Sequence, residues 1–238
     1  MPDIRTRWLE PTDPFPPVET ALKRPNGLLA AGGDLSPERL VDAYSRGIFP
    51  WFGDDEPLLW WSPDPRMVLP VGELHVSRSL RRRIRGRSCT VTMDTQFTRV
   101  MAGCAGPRRD ADGTWITGDM IDAYTTLHRL GHAHSIESWH EGELAGGLYG
   151  VAVGRMFYGE SMFSRRPDAS KVALAHLVRQ LERWGFEIVD CQMSTAHLSS
   201  LGAREIPRSE FLRHVRRLIA LPAVASPWRL DPDLAGVQ

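Results

Sequence analysis

The sequence predicts an α+β protein with a small N-terminal domain, on three observations. First, three consecutive apolar, β-rich runs (133–140, 144–153 and 155–163) are separated by Glu141-Gly142 and Gly154 turns, which is typical of antiparallel hairpins. Second, an amphipathic helix, another strand and a last helix follow these runs. Third, the first 65 residues are rich in proline and tryptophan instead. Consecutive strands covered by separate helices define the α+β class.

The N-terminal part carries one clear helix signal. Ser36 is a favourable N-cap, Pro37 suits the first turn, and Gly47 closes the end. The other segments are short, aromatic and broken by proline, and we assign no strand to them. We place the domain boundary near 63–65, which gives domains of residues 1–64 and 65–238.

The C-terminal domain is predicted to mix strands and helices throughout. Besides the three hairpin runs, the strands are predicted at 67–71, 88–93 and 186–190. The helices are predicted at 79–85, 95–101, 119–130, from 170 to a stop at Gly185, and at 207–219. In the fourth of these helices the apolar residues follow helical spacing: Leu174, Leu177, Leu181 and Trp184.

The charges balance overall but are segregated along the chain. The 238 residues hold 29 Lys+Arg and 29 Asp+Glu, which excludes a uniformly basic nucleic-acid coat protein and an acidic solvating tail. Between Glu73 and Asp94, however, six arginines occur without an acid, and the remaining chain has a net charge of −6. On a helix, four of them fall within an arc of roughly 100°: Arg78, Arg81, Arg82 and Arg85. This stripe predicts contacts to nucleic-acid phosphates, and the alternative is a solvated helix face.

Aromatic residues in loops offer a second element of nucleic-acid binding. Trp51 lies beside Pro50, and Trp115 follows a polar loop. Such side chains can stack an unpaired base, although packing at a domain interface is the alternative. For Trp60 and Trp61 we expect packing.

Three polar residues at predicted strand ends are the candidates for catalysis. On a regular strand Asp190 and Gln192 point to the same face, about 6.5 Å apart along the backbone. A carboxylate beside an amide can orient an amine and a carbonyl in an acyl transfer, and Glu160 supplies a second carboxylate. From spacing alone, a structural role is the more common one for such residues.

Several other sites are excluded or not supported by the sequence. There is no nucleophile elbow around Ser161, no Gly-rich phosphate loop, and no acetyl-CoA pyrophosphate loop. No motif supports a metal site at His128, His132 and His134. The three cysteines are far apart and odd in number, no stretch reaches the ~20 apolar residues of a membrane span, and the start of the chain lacks the apolar segment of a secretory signal. We therefore expect reduced thiols, no membrane association and a cytoplasmic location.

Seven segments resemble, in the same order, the bacterial leucyl/phenylalanyl-tRNA–protein transferases. They are Gly47-Ile-Phe-Pro-Trp-Phe, Trp60-Trp-Ser-Pro-Asp-Pro-Arg66, Gly146-Gly-Leu-Tyr-Gly150, Gly159-Glu-Ser-Met-Phe-Ser164, Ser170-Lys171, Asp190-Cys-Gln192 and His197-Leu-Ser-Ser-Leu-Gly-Ala followed by Glu205-Ile-Pro207. The resemblance spans nearly the whole chain. It implies an acetyltransferase-like (GNAT-type) C-terminal domain that uses no acetyl-CoA. It also implies transfer of Leu or Phe, and Met less well, from aminoacyl-tRNA to proteins with N-terminal Arg or Lys, which marks them for degradation.

The resemblance also implies roles for individual residues. Asp190 would draw charge from the attacking amine through Gln192, and Glu160 would help to hold the aminoacyl group. Trp51 and Trp115 would pack around the terminal adenosine. The aminoacyl pocket is expected to be lined by Leu148, Phe157, Gly159, Leu174, Leu177 and Val189. No cofactor and no metal are expected, and the protein is expected to be a monomer.

Three alternatives stay open from the sequence. The first concerns the mechanism: either Asp190 acts as a general base, or the leaving ribose hydroxyl assists the reaction instead. As a whole, the protein could be a non-catalytic RNA-binding module that uses the same arginines and tryptophans. It could also be an ordinary acyl-CoA N-acyltransferase.

Overall fold

The computed structural model describes residues 6–53, 55–86, 89–106 and 116–234. Its strands are β1 (Arg7–Leu9), β2 (Leu28–Gly32), β3 (Phe49–Pro50), β4 (Leu59–Trp61), β5 (Arg66–Pro70), β6 (Thr90–Met93), β7 (Ala133–His140), β8 (Glu143–Val153), β9 (Met156–Ser164), β10 (Ile188–Gln192) and β11 (Arg204–Ile206). Its α-helices are α1 (Pro37–Ser45), α2 (Arg78–Arg85), α3 (Phe97–Ala105), α4 (Gly118–Arg129), α5 (Ala169–Arg183), α6 (Ala196–Ser200) and α7 (Arg208–Leu218). This arrangement confirms the α+β class. Among the described residues, no helix is both long and apolar enough to cross a membrane.

The N-terminal part forms a four-stranded sheet that the sequence did not reveal. The strand order is β1-β2-β4-β3, with β1 parallel to β2 and β4 antiparallel to both of its neighbours. The one predicted helix is α1, whose cap Ser36 accepts a hydrogen bond from the backbone N–H of Arg39. Trp60 is fully buried in β4 and donates its indole N–H to the carbonyl of Gly32 at 2.9 Å, so its expected packing role is confirmed.

The C-terminal part is built on a seven-stranded sheet of order β11-β5-β10-β9-β8-β7-β6. Neighbouring strands are antiparallel except β9 and β10, which are parallel. This parallel pair lies in the middle of the sheet. The three predicted hairpin strands correspond to β7, β8 and β9, with ends within one residue of those predicted.

Helices cover both faces of this sheet. One hydrophobic cluster joins the sheet to α1, α3, α4 and α7, and a second joins it to α2 and α5. Successive side chains of β9 point to opposite faces of the sheet, so that Met156 and Tyr158 belong to the first cluster and Phe157 to the second. The backbone of α5 approaches β8 so closely at Gly146 that a Cβ there would lie 2.7 Å from the Cβ of Ala169.

The two predicted domains share a hydrophobic core. The first cluster contains Tyr44 and Trp60 from the N-terminal part together with Tyr158 and Phe211 from the C-terminal part. A hydrogen bond of 2.6 Å from the hydroxyl of Tyr158 to the carbonyl of Tyr44 also joins them. The boundary near 63–65 stays a prediction, and the N-terminal part lies directly against the sheet that carries the candidate site.

Three elements differ from the sequence prediction in a way that affects the site. Strand β10 begins and ends two residues later than predicted, so that Gln192 lies inside it. The short helix α6 and the edge strand β11 were not predicted. Thr195 caps α6 by accepting a hydrogen bond from the N–H of Leu198. Five residues of mixed polarity are too few to show a helical period.

Candidate active site

A β-bulge in β9 determines the position of Glu160. Its neighbours Gly159 and Ser161 pair with the adjacent residues Gly150 and Tyr149 of β8, so Glu160 is an extra residue without a partner in this ladder. A bulge turns a side chain away from the regular alternation, and bulges are frequent beside active sites. Glu160 therefore extends from the middle of the sheet toward β10.

A second bulge lies at the end of β10. The antiparallel pairing with β5 passes from Asp190 directly to Gln192 and leaves Cys191 unpaired, and Gln192 has a φ of 63°, in the left-handed region. The prediction that Asp190 and Gln192 share one face was wrong, because it assumed regular alternation. Instead Gln192 turns toward β9, where its Nε2 donates a hydrogen bond of 2.9 Å to Oε1 of Glu160.

A largely apolar cavity of about 390 Å³ lies beside this pair. Its wall contains all six residues that were expected to line the aminoacyl pocket: Leu148, Phe157, Gly159, Leu174, Leu177 and Val189. Glu160 and Gln192 line the same cavity. The fold thus brings together eight of the predicted site residues from β8, β9, α5 and β10.

The cavity also includes residues that the sequence analysis did not assign to it: Leu69, Tyr149, Ser161, Met162, Cys191, Thr195, His197 and Leu198. The last three lie on or beside the unpredicted helix α6, with Thr195 and His197 exposed. Burial raises the pKa of the Cys191 thiol, which keeps it protonated. Burial also lowers the pKa of His197, and the charge of Lys171 lowers it further.

Glu160 is the most perturbed acid of the cavity. Only 8% of the residue is exposed, and the loss of hydration raises the pKa of its carboxyl group from 4.5 to about 8. Hydrogen bonds from Tyr44 and Tyr124 oppose this rise in pKa, whereas the nearby charge of Asp190 adds to it. A carboxyl group with such a pKa can take up and return a proton near neutral pH.

Two tyrosines that the sequence analysis missed lie behind Glu160. The hydroxyl groups of Tyr44 and Tyr124 are hydrogen-bonded to each other, and that of Tyr124 donates to Oε2 of Glu160 at 3.4 Å. Both rings are fully buried, which raises the pKa of both phenols well above the usual value. Each tyrosine lies on the apolar side of its helix, so the sequence shows only a core position.

Asp190 lies behind the cavity and not in its wall. It is fully buried, and its two oxygens accept hydrogen bonds from Nε and Nη2 of Arg66 at 2.8 and 2.7 Å. Oδ1 also accepts the backbone N–H of Gln192 at 2.9 Å. The charge of Asp190 is thus compensated by Arg66, which belongs to a motif of the sequence but to which no role was assigned there. Asp190 therefore acts on a substrate through its neighbours: it holds the backbone of Gln192, and its charge raises the pKa of Glu160.

Of the two tryptophans expected to pack around the terminal adenosine of the tRNA, Trp51 lies among the described residues. Trp51 is 38% exposed and stands edge-on to Trp61, with 5.6 Å between ring centroids. Its backbone carbonyl accepts the indole N–H of Trp61 at 2.7 Å. Trp115 lies outside the described residues. Trp51 is not part of the cavity wall, and it offers an exposed aromatic ring in the N-terminal part.

The predicted arginine stripe lies on α2. Leu80 is buried beneath the helix, and the four arginines Arg78, Arg81, Arg82 and Arg85 are exposed and line one surface depression of about 500 Å³. Arg83 lies outside this set and pairs with Asp168 at 3.3 Å. Arg81 and Arg85 also border a groove against α5, the helix whose leucines line the cavity.

Two of the three histidines considered for a metal site, His128 and His134, have other partners. Nδ1 of His134 is 2.8 Å from Oδ2 of Asp94, and His128 stacks on Phe97 and contacts the carbonyl of Ala133 through its Nδ1. In the described part of the chain, no group of three or more His, Cys, Asp or Glu side chains is arranged to hold a metal ion.

Comparison with solved structures gives distant matches. A GCN5-related N-acetyltransferase from Kribbella flavida is 11% identical, covers 69% of this chain and 58% of its own, and has a TM-score of 0.37. L-PGS from Bacillus licheniformis is 11% identical, covers 71% of this chain and 54% of its own, and has a TM-score of 0.38.

Comparison with protein families and curated proteins is decisive. Residues 68–216 match the family model described as leucyl/phenylalanyl-tRNA protein transferase, and residues 33–64 match the model of its N-terminal domain. The leucyl/phenylalanyl-tRNA–protein transferase of Nitrosospira multiformis is 61% identical over 95% of this chain and 97% of its own. That of Thiobacillus denitrificans is 62% identical over 91% of this chain and 95% of its own. The chain therefore belongs to the leucyl/phenylalanyl-tRNA–protein transferase family.

Proposed function

We propose that this protein transfers Leu or Phe, and Met less well, from aminoacyl-tRNA to the N-terminal Arg or Lys of acceptor proteins, which marks these proteins for degradation. Family membership supports the reaction class. The observation that carries the assignment to a site is the apolar cavity whose wall holds a hydrogen-bonded glutamate and glutamine. Its volume of about 390 Å³ is within the usual range of small-molecule pockets, roughly 300–1,000 Å³.

The aminoacyl side chain occupies the apolar part of the cavity. Leu174 and Leu177 from α5 and Phe157 from β9 form a wall that has no charge. Such a wall accepts Leu, Phe and Met, and it disfavours charged side chains, which would lose their hydration there. The ester carbonyl then lies toward Glu160 and Gln192, the polar groups of the same cavity.

The chemistry needs orientation and one proton transfer. An aminoacyl ester is already activated, so a neutral α-amine attacks its carbonyl carbon directly, forming the C–N bond. The nitrogen then gives a proton to the ionised carboxylate of Glu160. As the ester C–O bond breaks, Glu160 returns this proton to the departing ribose oxygen and regains its charge. Its pKa of about 8 suits both steps.

Arg66 and Asp190 act as positioning residues in this proposal. Their buried ion pair fixes Asp190, and Asp190 in turn holds the backbone N–H of Gln192 in its left-handed conformation. The amide of Gln192 is thereby kept against Glu160. Asp190 thus acts on the amine through Gln192, as the resemblance implied.

The tRNA is held by charge and by stacking. The exposed arginines of α2 contact phosphates, which carry no sequence information and allow different tRNAs to bind. Trp51 stacks the terminal adenosine, as we also propose for Trp115. We further propose a cytoplasmic location, where aminoacyl-tRNA is available. Cys89, Cys104 and Cys191, which all lie in the described part of the chain, form no disulfide, and this is consistent with such a location.

A transfer assay tests the reaction. The protein is incubated with tRNA carrying labelled Phe and with a peptide that begins with Arg. The matched control peptide begins with Ala and is otherwise identical. We expect label in the first peptide and little in the second. Binding of tRNA without transfer would favour an RNA-binding module, and transfer only from an acyl-CoA would favour an ordinary N-acyltransferase.

A further inference from the structure

The segment after α7 contributes a buried tryptophan to the second hydrophobic cluster, which joins the sheet to α2 and α5. Trp228 is 1% exposed and belongs to the same hydrophobic cluster as Phe157, Leu174 and Leu177. It lies beyond residue 216, where the match to the family model ends. Neither the fold nor the reaction proposed above gives it a role.

Trp228 is held from one side by a polar anchor. Its backbone N–H donates to Oδ2 of Asp94 at 2.6 Å, and Nδ1 of His134 is 2.8 Å from the same oxygen. The imidazole of His134 also stacks on the indole, with 3.6 Å between centroids and 3° between planes. Oδ1 of Asp94 accepts the N–H of Ser135 at 3.0 Å. The anchor therefore fixes both the backbone and the ring plane of Trp228.

A second clamp holds the segment to α5. Arg183 donates to Asp231 at 2.8 Å and to Asp233 at 2.6 Å, and Oε1 of Gln180 accepts the backbone N–H of Asp231 at 2.7 Å. Since α5 also carries two leucines of the cavity wall, the segment and the cavity are attached to the same helix. We call residues 226–233 the C-terminal strap.

The strap reaches the cavity through one aromatic contact. The rings of Trp228 and Phe157 lie 5.8 Å apart between centroids, with 33° between their planes. Phe157 is fully buried and lines the cavity, whereas Trp228 does not. Trp228 thus supports from behind a ring that limits the space for the aminoacyl side chain. Packed cores transmit such support because they leave few voids.

We propose that Trp228 is a specificity-determining positioning residue, which through Phe157 sets the size of the aminoacyl pocket and so the preference among Leu, Phe and Met donors. This inference rests on the proposed function of the cavity. If Trp228 is shortened, Phe157 can withdraw toward the strap, and the larger Phe side chain gains most from the added space.

The test compares donor preference in full-length variants. For wild type, Trp228→Leu and Trp228→Phe, kcat/KM is measured with tRNA charged with Leu, Phe or Met and one acceptor peptide. Differences of one methylene in an apolar pocket change kcat/KM by about 10- to 200-fold, so we expect Trp228→Leu to raise the Phe:Leu ratio at least about fivefold. Trp228→Phe should stay near the wild-type ratio. The buried indole N–H has no hydrogen-bond partner among the described residues, so none is lost in this variant.

Two control variants distinguish an effect on donor preference from a general loss of stability. Trp60→Leu removes an equally buried tryptophan from the N-terminal sheet and should change the three rates by the same factor. Leu177→Val alters the cavity wall itself and should change the donor ratio. An unchanged ratio in Trp228→Leu with a changed ratio in Leu177→Val would overturn the role of Trp228 alone. Unchanged ratios in both would overturn the assignment of the cavity as well.

If Trp228→Leu does not fold, the Phe:Leu ratio is measured in Arg183→Ala instead. This variant opens the outer clamp at the surface and leaves the core intact. A changed Phe:Leu ratio in Arg183→Ala supports the inference, and an unchanged ratio together with a changed ratio in Leu177→Val overturns it.

Discussion

Replacing Glu160 by glutamine separates the charge of this side chain from its shape. Glutamine retains an oxygen that can accept the Nε2 hydrogen of Gln192, and its NH2 group can donate to the oxygen of Tyr124. The variant should therefore fold. It cannot ionise, however, and proton transfer by a positioned side chain contributes roughly 10²–10⁴-fold to a rate. We expect the kcat for transfer of Phe to fall at least about 100-fold.

The same substitution has a calculable effect on stability. The pKa of Glu160 is raised from 4.5 to about 8, and each unit of pKa corresponds to about 1.4 kcal/mol, so ionisation costs the folded state about 5 kcal/mol. Because the folded-state pKa is the higher one, the stabilisation is complete below pH 4.5 and is lost as the pH rises through about 8. Wild type should lose stability relative to E160Q over this range by about 1.4 kcal/mol per pH unit.

Urea unfolding of both proteins between about pH 5 and pH 9 measures this difference. The stability of wild type relative to E160Q should fall by about 4 kcal/mol over the series. Glu205→Gln, at an exposed position of β11, is the matched control, and its difference from wild type should stay within about 0.5 kcal/mol. If the difference between wild type and E160Q does not vary with pH, Glu160 does not have the raised pKa, and its role in proton transfer fails with it.

Three further predictions concern the groups around this site. Arg81→Glu combined with Arg82→Glu should weaken tRNA binding and reduce the slope of log K against log salt by at least about 1.5, as measured by filter binding between about 50 and 300 mM salt. Arg66→Met should reduce the free energy of unfolding in urea by about 3–5 kcal/mol, because it leaves a buried carboxylate without its partner. Tyr124→Phe removes a hydrogen bond that lowers the pKa of Glu160, so the pH at which transfer reaches half its maximum should rise in a pH–rate profile.

Each of these predictions has an outcome that contradicts it. An unchanged salt slope would mean that the arginine stripe is only a solvated face. A loss of stability below about 1 kcal/mol in Arg66→Met would mean that the pair contributes no more than an exposed one. If the pH–rate profile of Tyr124→Phe is identical to that of wild type, the hydrogen bond from Tyr124 does not influence the pKa of Glu160.

Much of the fold could be predicted because it depends on local patterns. The hairpin strands are separated by glycine turns, and the apolar spacing of α5 identifies Leu174 and Leu177 as buried. The arc of arginines on α2 followed from helical geometry alone. The wall of the cavity was identified by resemblance, and the structure brings its six residues together.

The arrangement of the catalytic candidates could not be predicted, because it depends on irregular and distant contacts. A bulge adds one residue without any signature in the sequence, and it reverses the faces of the strand beyond it. Arg66 and Asp190 are 124 positions apart, and Tyr44 and Tyr124 are 80 positions apart. The strands of the N-terminal sheet were missed because they are too short to alternate visibly.

The position of the aminoacyl group is the central claim, and a crystal structure with a stable phenylalanyl-adenosine, its ester replaced by an amide, tests it most directly. We predict density for the phenyl ring in the cavity between Phe157 and Leu174, with the carbonyl oxygen within hydrogen-bonding distance of Gln192. Density for the phenyl ring outside this cavity would contradict the account, even if the protein transferred Phe normally.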